Sequence, residues 1–269
     1  MKTRVISAFV GIAVLCVAIA LYDTAALPVF VLALAVIAAC EMLHACGCLG
    51  ALDFCAYTVL AAGFAACAPG KYLTAEALAA AVILLLILWL RWHGRHQAQQ
   101  LGFAFGASVL IALSFRCVLM MRSAFGHDTG LYALMVTLVA AWMSDTGAYF
   151  AGHFFGKTKL CPHISPHKTV EGVVGGVLGA IVGQLVLALV FEHLCGLHIR
   201  VGLLCMLSPV LTTLSIVGDL SASVIKRDTG IKDYGNIMPG HGGVLDRFDS
   251  VLPLLPVVYM LFSHFAVVQ

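Results

Sequence analysis

Between Gly218 and Asp249 the chain reads GDLSASVIKRDTGIKDYGNIMPGHGGVLDRFD. Asp219, Lys226, Arg227, Asp228, Lys232, Asp233, His241, Asp246, Arg247 and Asp249 crowd into this stretch, with an apolar run on either side. A solvated loop would account for the cations. It does not account for Asp219 at the end of an apolar run, nor for Asp-Arg-Phe-Asp leading into the next one. A charge at membrane depth costs at least ~2.5 kcal/mol on insertion scales, and it persists where it pairs with another charge or an ion. Asp219, Asp246 and Asp249 are hard oxygen donors suited to Mg²⁺, an ion usually held by one or two carboxylates together with substrate phosphates. Lys226, Arg227, Lys232 and Arg247 can neutralise phosphate oxygens, the arginines bidentately. Pro239-Gly240-His241-Gly242-Gly243 reads as a tight turn whose backbone N–H groups can cradle an anion. Its position between a cationic run and a carboxylate pair makes the combination specific.

A second polar stretch, WMSDTGAYFAGHFFGKTKLCPHISPHKTVEG, covers residues 142–172. Ser144 and Asp145 end one apolar run, and Ser165-Pro166-His167-Lys168-Thr169-Val170-Glu171-Gly172 opens the next. Ser165 is read as the N-cap of that helix, with Glu171 favouring a helix start. Lys168 beside a helix N-terminus is then a natural phosphate seat. His153, His163 and His167 have no metal-ligand spacing, and His241 is read as a turn residue that donates to phosphate. The ten cysteines are scattered and mostly lie in apolar runs, where a thiol packs as a small hydrophobe. Cys46 and Cys48 near Glu41 and His44 have metal-binding types, but short clusters of this kind also arise by chance in a Cys-rich chain.

The elements that must hold these residues follow from composition. The 269-residue chain is 62% hydrophobic and 10% charged, with a mean hydropathy of +1.03. A soluble domain carries about 25% charged residues, so this chain needs lipid as part of its solvent. Nine apolar runs, near 5–22, 26–43, 51–68, 76–92, 102–121, 130–149, 173–191, 201–218 and 250–266, approach the roughly 20 residues that cross a bilayer. The fold class expected is all-α, a polytopic helical membrane bundle of about nine spans. The first run follows Lys2 and Arg4 and is read as an uncleaved helix rather than a signal peptide. With the N-terminus in the cytoplasm, alternation leaves eleven of the fifteen Lys and Arg on the cytoplasmic side, as the positive-inside rule asks. That topology puts loops 150–172 and 219–249 in the cytoplasm. Residues 1–140 are read as scaffold and lipid-facing wall, and residues 141–269 as the catalytic core. The glycines from Gly172 to Gly183 favour close helix packing. The net charge of +2 gives no reason to expect a nucleic-acid partner.

The run Ser223-x-Ile225-Lys226-Arg227, then Lys232-Asp233-x-Gly235-x-x-Met238-Pro239-x-His241-Gly242-Gly243-Val244-x-Asp246-Arg247-Phe248-Asp249, resembles the signature of the phosphatidate cytidylyltransferase family. Ser144-Asp145 and Ser165-Pro166 are similar to the family's other polar stretches. The resemblance lies in the C-terminal half. It departs at Ala222, where relatives more often carry Glu, and at His167 and Val170. It implies a Mg²⁺-dependent transfer in which phosphatidate attacks the α-phosphorus of CTP, giving CDP-diacylglycerol and pyrophosphate. It further implies Asp219 and Asp246 as Mg²⁺ ligands, with Asp145 and Asp249 as further ones. Lys226, Arg227 and Lys232 would grip the triphosphate and Arg247 the lipid phosphate. Ser144, Lys168, His241, Gly242 and Gly243 join the nucleotide-binding set, with Lys168 able to serve either phosphate. The expected location is a bacterial inner membrane with the site on the cytoplasmic side, and a homodimer is compatible with this reading. Two alternatives stay open: a CTP-dependent polyprenol or phytol kinase, which would release CDP, and a cation-coupled secondary transporter, disfavoured by the absence of matching halves.

Overall fold

The computed structural model describes residues 11, 13, 15–67, 75–91, 97–238, 240 and 242–268. Residues 15–20 are helical; the rest of the first apolar run falls largely outside the described residues. The elements that follow are α1 (Ala26–Ala45), a 3₁₀ turn (Cys48–Gly50), α2 (Leu52–Cys67), α3 (Ala75–Arg91), α4 (Ala98–Phe155), β1 (Lys159–Cys161), β2 (Ser165–Thr169), α5 (Val170–Cys195), α6 (Val201–Asp228), α7 (Leu245–Phe248) and α8 (Leu254–His264). Every apolar run from 26–43 onward falls on a helix. Among the described residues, α1, α4, α5 and α6 are both long and apolar enough to cross a membrane. At 1.5 Å per residue, the 11 residues of α8 reach only about 16 Å. The runs at 102–121 and 130–149 lie on two helical segments of α4 that meet at a kink at Gly126, with φ at 75°. That left-handed backbone costs glycine little and an L-residue much. The β1–β2 pair is antiparallel and lies in the polar stretch after α4, a small departure from an all-α chain.

The chain forms two compact units. The first comprises Met1–Leu119 and Thr229–Arg247, the second Met120–Asp228 and Phe248–Gln269. In the first unit α1 packs along α2. Arg116 is buried and its Nη1 donates to the carbonyl of Ala65, 3.3 Å away, in the last turn of α2. A helix end leaves such carbonyls without an intrahelical donor, and the guanidinium satisfies one of them inside the unit.

In the second unit the long helices are inverted relative to a water-soluble protein. The buried residues of α5 include Gly172, Gly176, Ala180, Gln184 and Ala188, spaced by four. Its exposed large apolar residues include Val174, Leu178, Val182, Val186 and Leu189. Small residues face the neighbouring helices and large apolar ones face outward, as lipid requires. A Cβ on Gly176 would lie 3.0 Å from the carbonyl of Ser144, and one on Gly179 would lie 2.6 Å from that of Met143. The backbones therefore touch. Gln184 and Ser208 join α5 to α6 by a buried 2.9 Å hydrogen bond from the serine hydroxyl.

Helix length places the polar groups. The 28 residues of α6 span about 42 Å, while a bilayer core is about 30 Å thick. Asp219, Lys226 and Arg227 come 18, 25 and 26 residues after Val201, in the C-terminal part of this helix. These three residues sit on the helix itself, which runs through Asp228, rather than in a loop starting at 219. The other polar stretch also begins later than its sequence suggested, because α4 continues to Phe155.

Candidate active site

In the second unit, the C-terminal end of α4, the start of α5 and the C-terminal end of α6 lie together. Thr169 rather than Ser165 caps α5. Its backbone is extended, and its side chain accepts the N–H of Gly172 at 3.1 Å. Ser165 instead opens β2, where the backbone pairs with Cys161. Pro166 explains part of this, since the residue before a proline is driven toward extended backbone. Lys168 lies near the end of β2, directly before the cap and so beside the N-terminus of α5, as expected. There its ammonium forms an ion pair with the carboxylate of Asp219. The side chains are 24% and 29% exposed, so the pair is shielded without being sealed from water.

Two further carboxylates belong to this group. Asp145 accepts a hydrogen bond from Ser250 Oγ at 3.4 Å. Asp249 Oδ1 accepts the backbone N–H of Ser250 at 2.8 Å. Burial, then the charge of Asp219, pushes the Asp249 carboxyl up to about 7, although Lys226 pulls the other way. Gly218 makes the approach to α6 possible, because a Cβ there would overlap the carbonyl of Asp249 and the ring of Pro253. Ser144 is buried behind the carboxylates, donating to the carbonyl of Ala141 at 3.1 Å and lying 3.4 Å from Ser215 Oγ. Arg227 is exposed and Lys226 half-buried.

The first unit organises the rest of the polar segment, and here a residue that sequence reasoning passed over takes the central place. Glu41, in α1, is buried, with 6% exposure. Its Oε1 accepts the N–H of Val244 at 2.9 Å and its Oε2 that of Leu245 at 2.8 Å. Asp246 Oδ2 accepts the N–H groups of Tyr234 and Gly243 at 2.8 and 2.9 Å. Met238 N donates to the carbonyl of Gly242 at 3.0 Å, and Gly242 has φ at 82°. Lys232 and Arg247 are exposed on this segment. Pro239 and His241 lie outside the described residues. In the sequence, Glu41 registered as a neighbour of Cys46, Cys48 and His44. The usable signal was its cost: an ionisable residue inside a candidate span calls for a partner. The partner is backbone, which no side-chain pattern reveals.

Among the described residues, no group of three or more His, Cys, Asp or Glu side chains is placed to hold a metal ion. Mg²⁺ asks for less, since substrate phosphates and water complete its shell. Asp145, Asp219 and Asp249 are oxygen donors, and burial followed by the charge of Asp219 raises the proton affinity of Asp249. The donor chemistry of the second unit fits a hard divalent cation.

These features define a helical membrane protein that gathers carboxylates and lysines near the ends of its long apolar helices. The model of the cytidylyltransferase family matches residues 2–265. The chain belongs to that family. A Bacillus subtilis protein described as phosphatidate cytidylyltransferase is 33% identical over 186 residues, which cover 69% of this chain and 67% of the relative. A Haemophilus influenzae protein with the same description is 34% identical, over 65% of this chain and 59% of the relative. A third from Staphylococcus epidermidis is 36% identical over half of each chain. The matched region therefore spans between about half and two thirds of these relatives.

Proposed function

We propose that this protein is a phosphatidate cytidylyltransferase. The α-phosphorus of CTP is attacked by a phosphate oxygen of phosphatidate. The bond to the β-phosphate bridging oxygen breaks, pyrophosphate leaves, and CDP-diacylglycerol remains in the membrane. The observation that carries this reading is family membership over nearly the whole chain, together with relatives of that description.

The reaction asks the protein to hold two polyanions together and to stabilise charge spread over phosphoryl oxygens. A phosphate monoester is already nucleophilic at neutral pH, so no strong general base is needed. Asp145, Asp219 and Asp249 are the proposed donors to Mg²⁺, which would neutralise phosphate charge when bound. Asp246 enters the reading as a further donor from its sequence position, although its Oδ2 already accepts two backbone N–H groups. Lys226 and Arg227 are the proposed triphosphate contacts of the second unit. Lys168 is held by Asp219, which keeps an ammonium at the carboxylates where phosphate charge accumulates. In the first unit Lys232, Arg247 and the turn at Gly242 and Gly243 are read as phosphate-binding groups. The substrates fit a membrane location: a lipid whose phosphate lies at the headgroup level and a nucleotide arriving from water. The Lys and Arg asymmetry supports a cytoplasmic site, and the bacterial relatives support an inner membrane.

The test is pyrophosphate release by purified protein in detergent with CTP, phosphatidate and Mg²⁺. Lipid-dependent pyrophosphate, abolished by EDTA and reduced at least about 100-fold in Asp219→Asn, is expected. Lipid-dependent CDP would replace the reading with a kinase. Absence of both products from folded protein would overturn it in favour of a non-enzymatic role.

A further inference from the structure

Glu41 lies about two hundred residues from the polar segment it binds, outside the part of the sequence that carries the family signature. Its carboxylate is nearly sealed from water, yet it meets no arginine or lysine ion pair within 4 Å among the described residues. What it has is two short bonds from consecutive backbone N–H groups, one to each oxygen. A buried carboxylate without a cation is costly unless its lone pairs are satisfied, and a fork of two amides is the arrangement that satisfies both oxygens at once. Charge-assisted bonds of this kind are about twice as strong as neutral ones.

The surroundings are shaped to the carboxylate. Gly235 and Gly243 face it so closely that a Cβ on either would overlap its atoms. Gly243 also donates to Asp246, and Tyr234, beside Gly235, donates to the same Asp246 oxygen. Tyr234 itself is buried. Two carboxylates thus take four backbone amides of one segment, at 234, 243, 244 and 245. Glu41 is the one that comes from another helix. It ties the segment to α1 and fixes where the turn at Gly242 and its flanking cations stand.

We propose that Glu41 is a positioning residue for nucleotide binding: through Val244, Leu245, Gly235 and Gly243 it sets the backbone of the phosphate-binding turn. The role rests on the transferase reading above. Glu41 does not touch substrate. Glu41→Gln keeps its volume but offers one acceptor oxygen, with an NH₂ facing the second amide. Two donors then oppose each other in a buried place, and the segment must shift. Glu41→Asp keeps both oxygens but shortens the reach by one methylene.

The experiment measures steady-state kinetics of pyrophosphate release for wild type, Glu41→Gln and Glu41→Asp, with thermal midpoints and backbone hydrogen exchange on the same samples. If wild type releases no lipid-dependent pyrophosphate, the transferase reading fails before Glu41 is tested, and faster exchange confined to residues 234–246 in Glu41→Gln still reports its structural hold. With an active wild type, Glu41→Gln is expected to raise KM for CTP about tenfold or more, the scale of one charge-assisted hydrogen bond. KM for phosphatidate should change less, and Glu41→Asp should recover part of the loss. A Glu41→Gln enzyme with unchanged KM for CTP overturns the proposal. So does a loss in kcat that tracks only the fraction of folded protein. If Glu41→Gln does not fold, Glu41→Asp decides, because the proposal requires its defect to fall on KM for CTP.

Discussion

The Lys168–Asp219 pair offers the most direct check on how the second unit is held together. Lys168→Met keeps the aliphatic stem and deletes the charge. Two unit charges about 4 Å apart attract by about 4 kcal/mol at an effective dielectric of 20. Both side chains here remain about one quarter exposed, so solvent screens the attraction and desolvation offsets part of it. Exposed pairs measure about 0–1 kcal/mol, and breaking a buried pair costs about 3–5. An intermediate coupling of about 2 kcal/mol follows, a factor of about 30 in an equilibrium. The assay is a double-mutant cycle on thermal or denaturant stability in detergent, using Lys168→Met, Asp219→Asn and the double variant. Each single variant should destabilise the protein, and the double should be less harmful than their sum by about that coupling. Lys168→Met should also depress kcat/KM, because the carboxylates at Asp219, Asp145 and Asp249 would lose the ammonium that offsets their repulsion of incoming phosphate. Additivity within about 0.5 kcal/mol, with turnover within twofold of wild type, would refute the reasoning.

Two other perturbations test neighbouring features. The Asp249 carboxyl is pushed up to about 7 in the folded protein, against roughly 3.9 in an unfolded chain. The folded state therefore holds more protons between those values, and stability in EDTA should fall as pH rises from about 4 through 7. Thermal midpoints at pH 5 and pH 8 would show the decline, which Asp249→Asn should flatten; an equally steep decline in the variant would count against the assignment. At Gly175 a Cβ would overlap the Cβ of Ala151 and sit 2.8 Å from the carbonyl of Gly147. Gly175→Val should therefore destabilise the protein by about 1–3 kcal/mol or more, while a midpoint equal to wild type would show that the helices have room to part.

The difference between what was readable in the chain and what was not follows the kind of interaction involved. Membrane residence followed from composition, because a surface with so few charges cannot be covered in water. The helices from Ala26 onward followed from apolar runs, since each span must satisfy its own backbone. Their ends followed less well. Asp219, Lys226 and Arg227 had the look of loop residues, but α6 runs on through Asp228 and carries them on its C-terminal turns. Ser165 resembled a cap by type and spacing, yet it pairs with Cys161 in a strand, and Thr169 caps α5.

The family could be recognised from the chain alone, because chemistry on phosphates needs particular residue types at short spacings and those survive as a linear pattern. What only the tertiary structure decided is which charges meet. Lys168 finds Asp219 across some fifty residues, an encounter set by the antiparallel run of α5 and α6. Glu41 binds amides that carry no side-chain identity at all. A sequence records side chains, whereas the donors that fix this loop are backbone groups brought to Glu41 by folding.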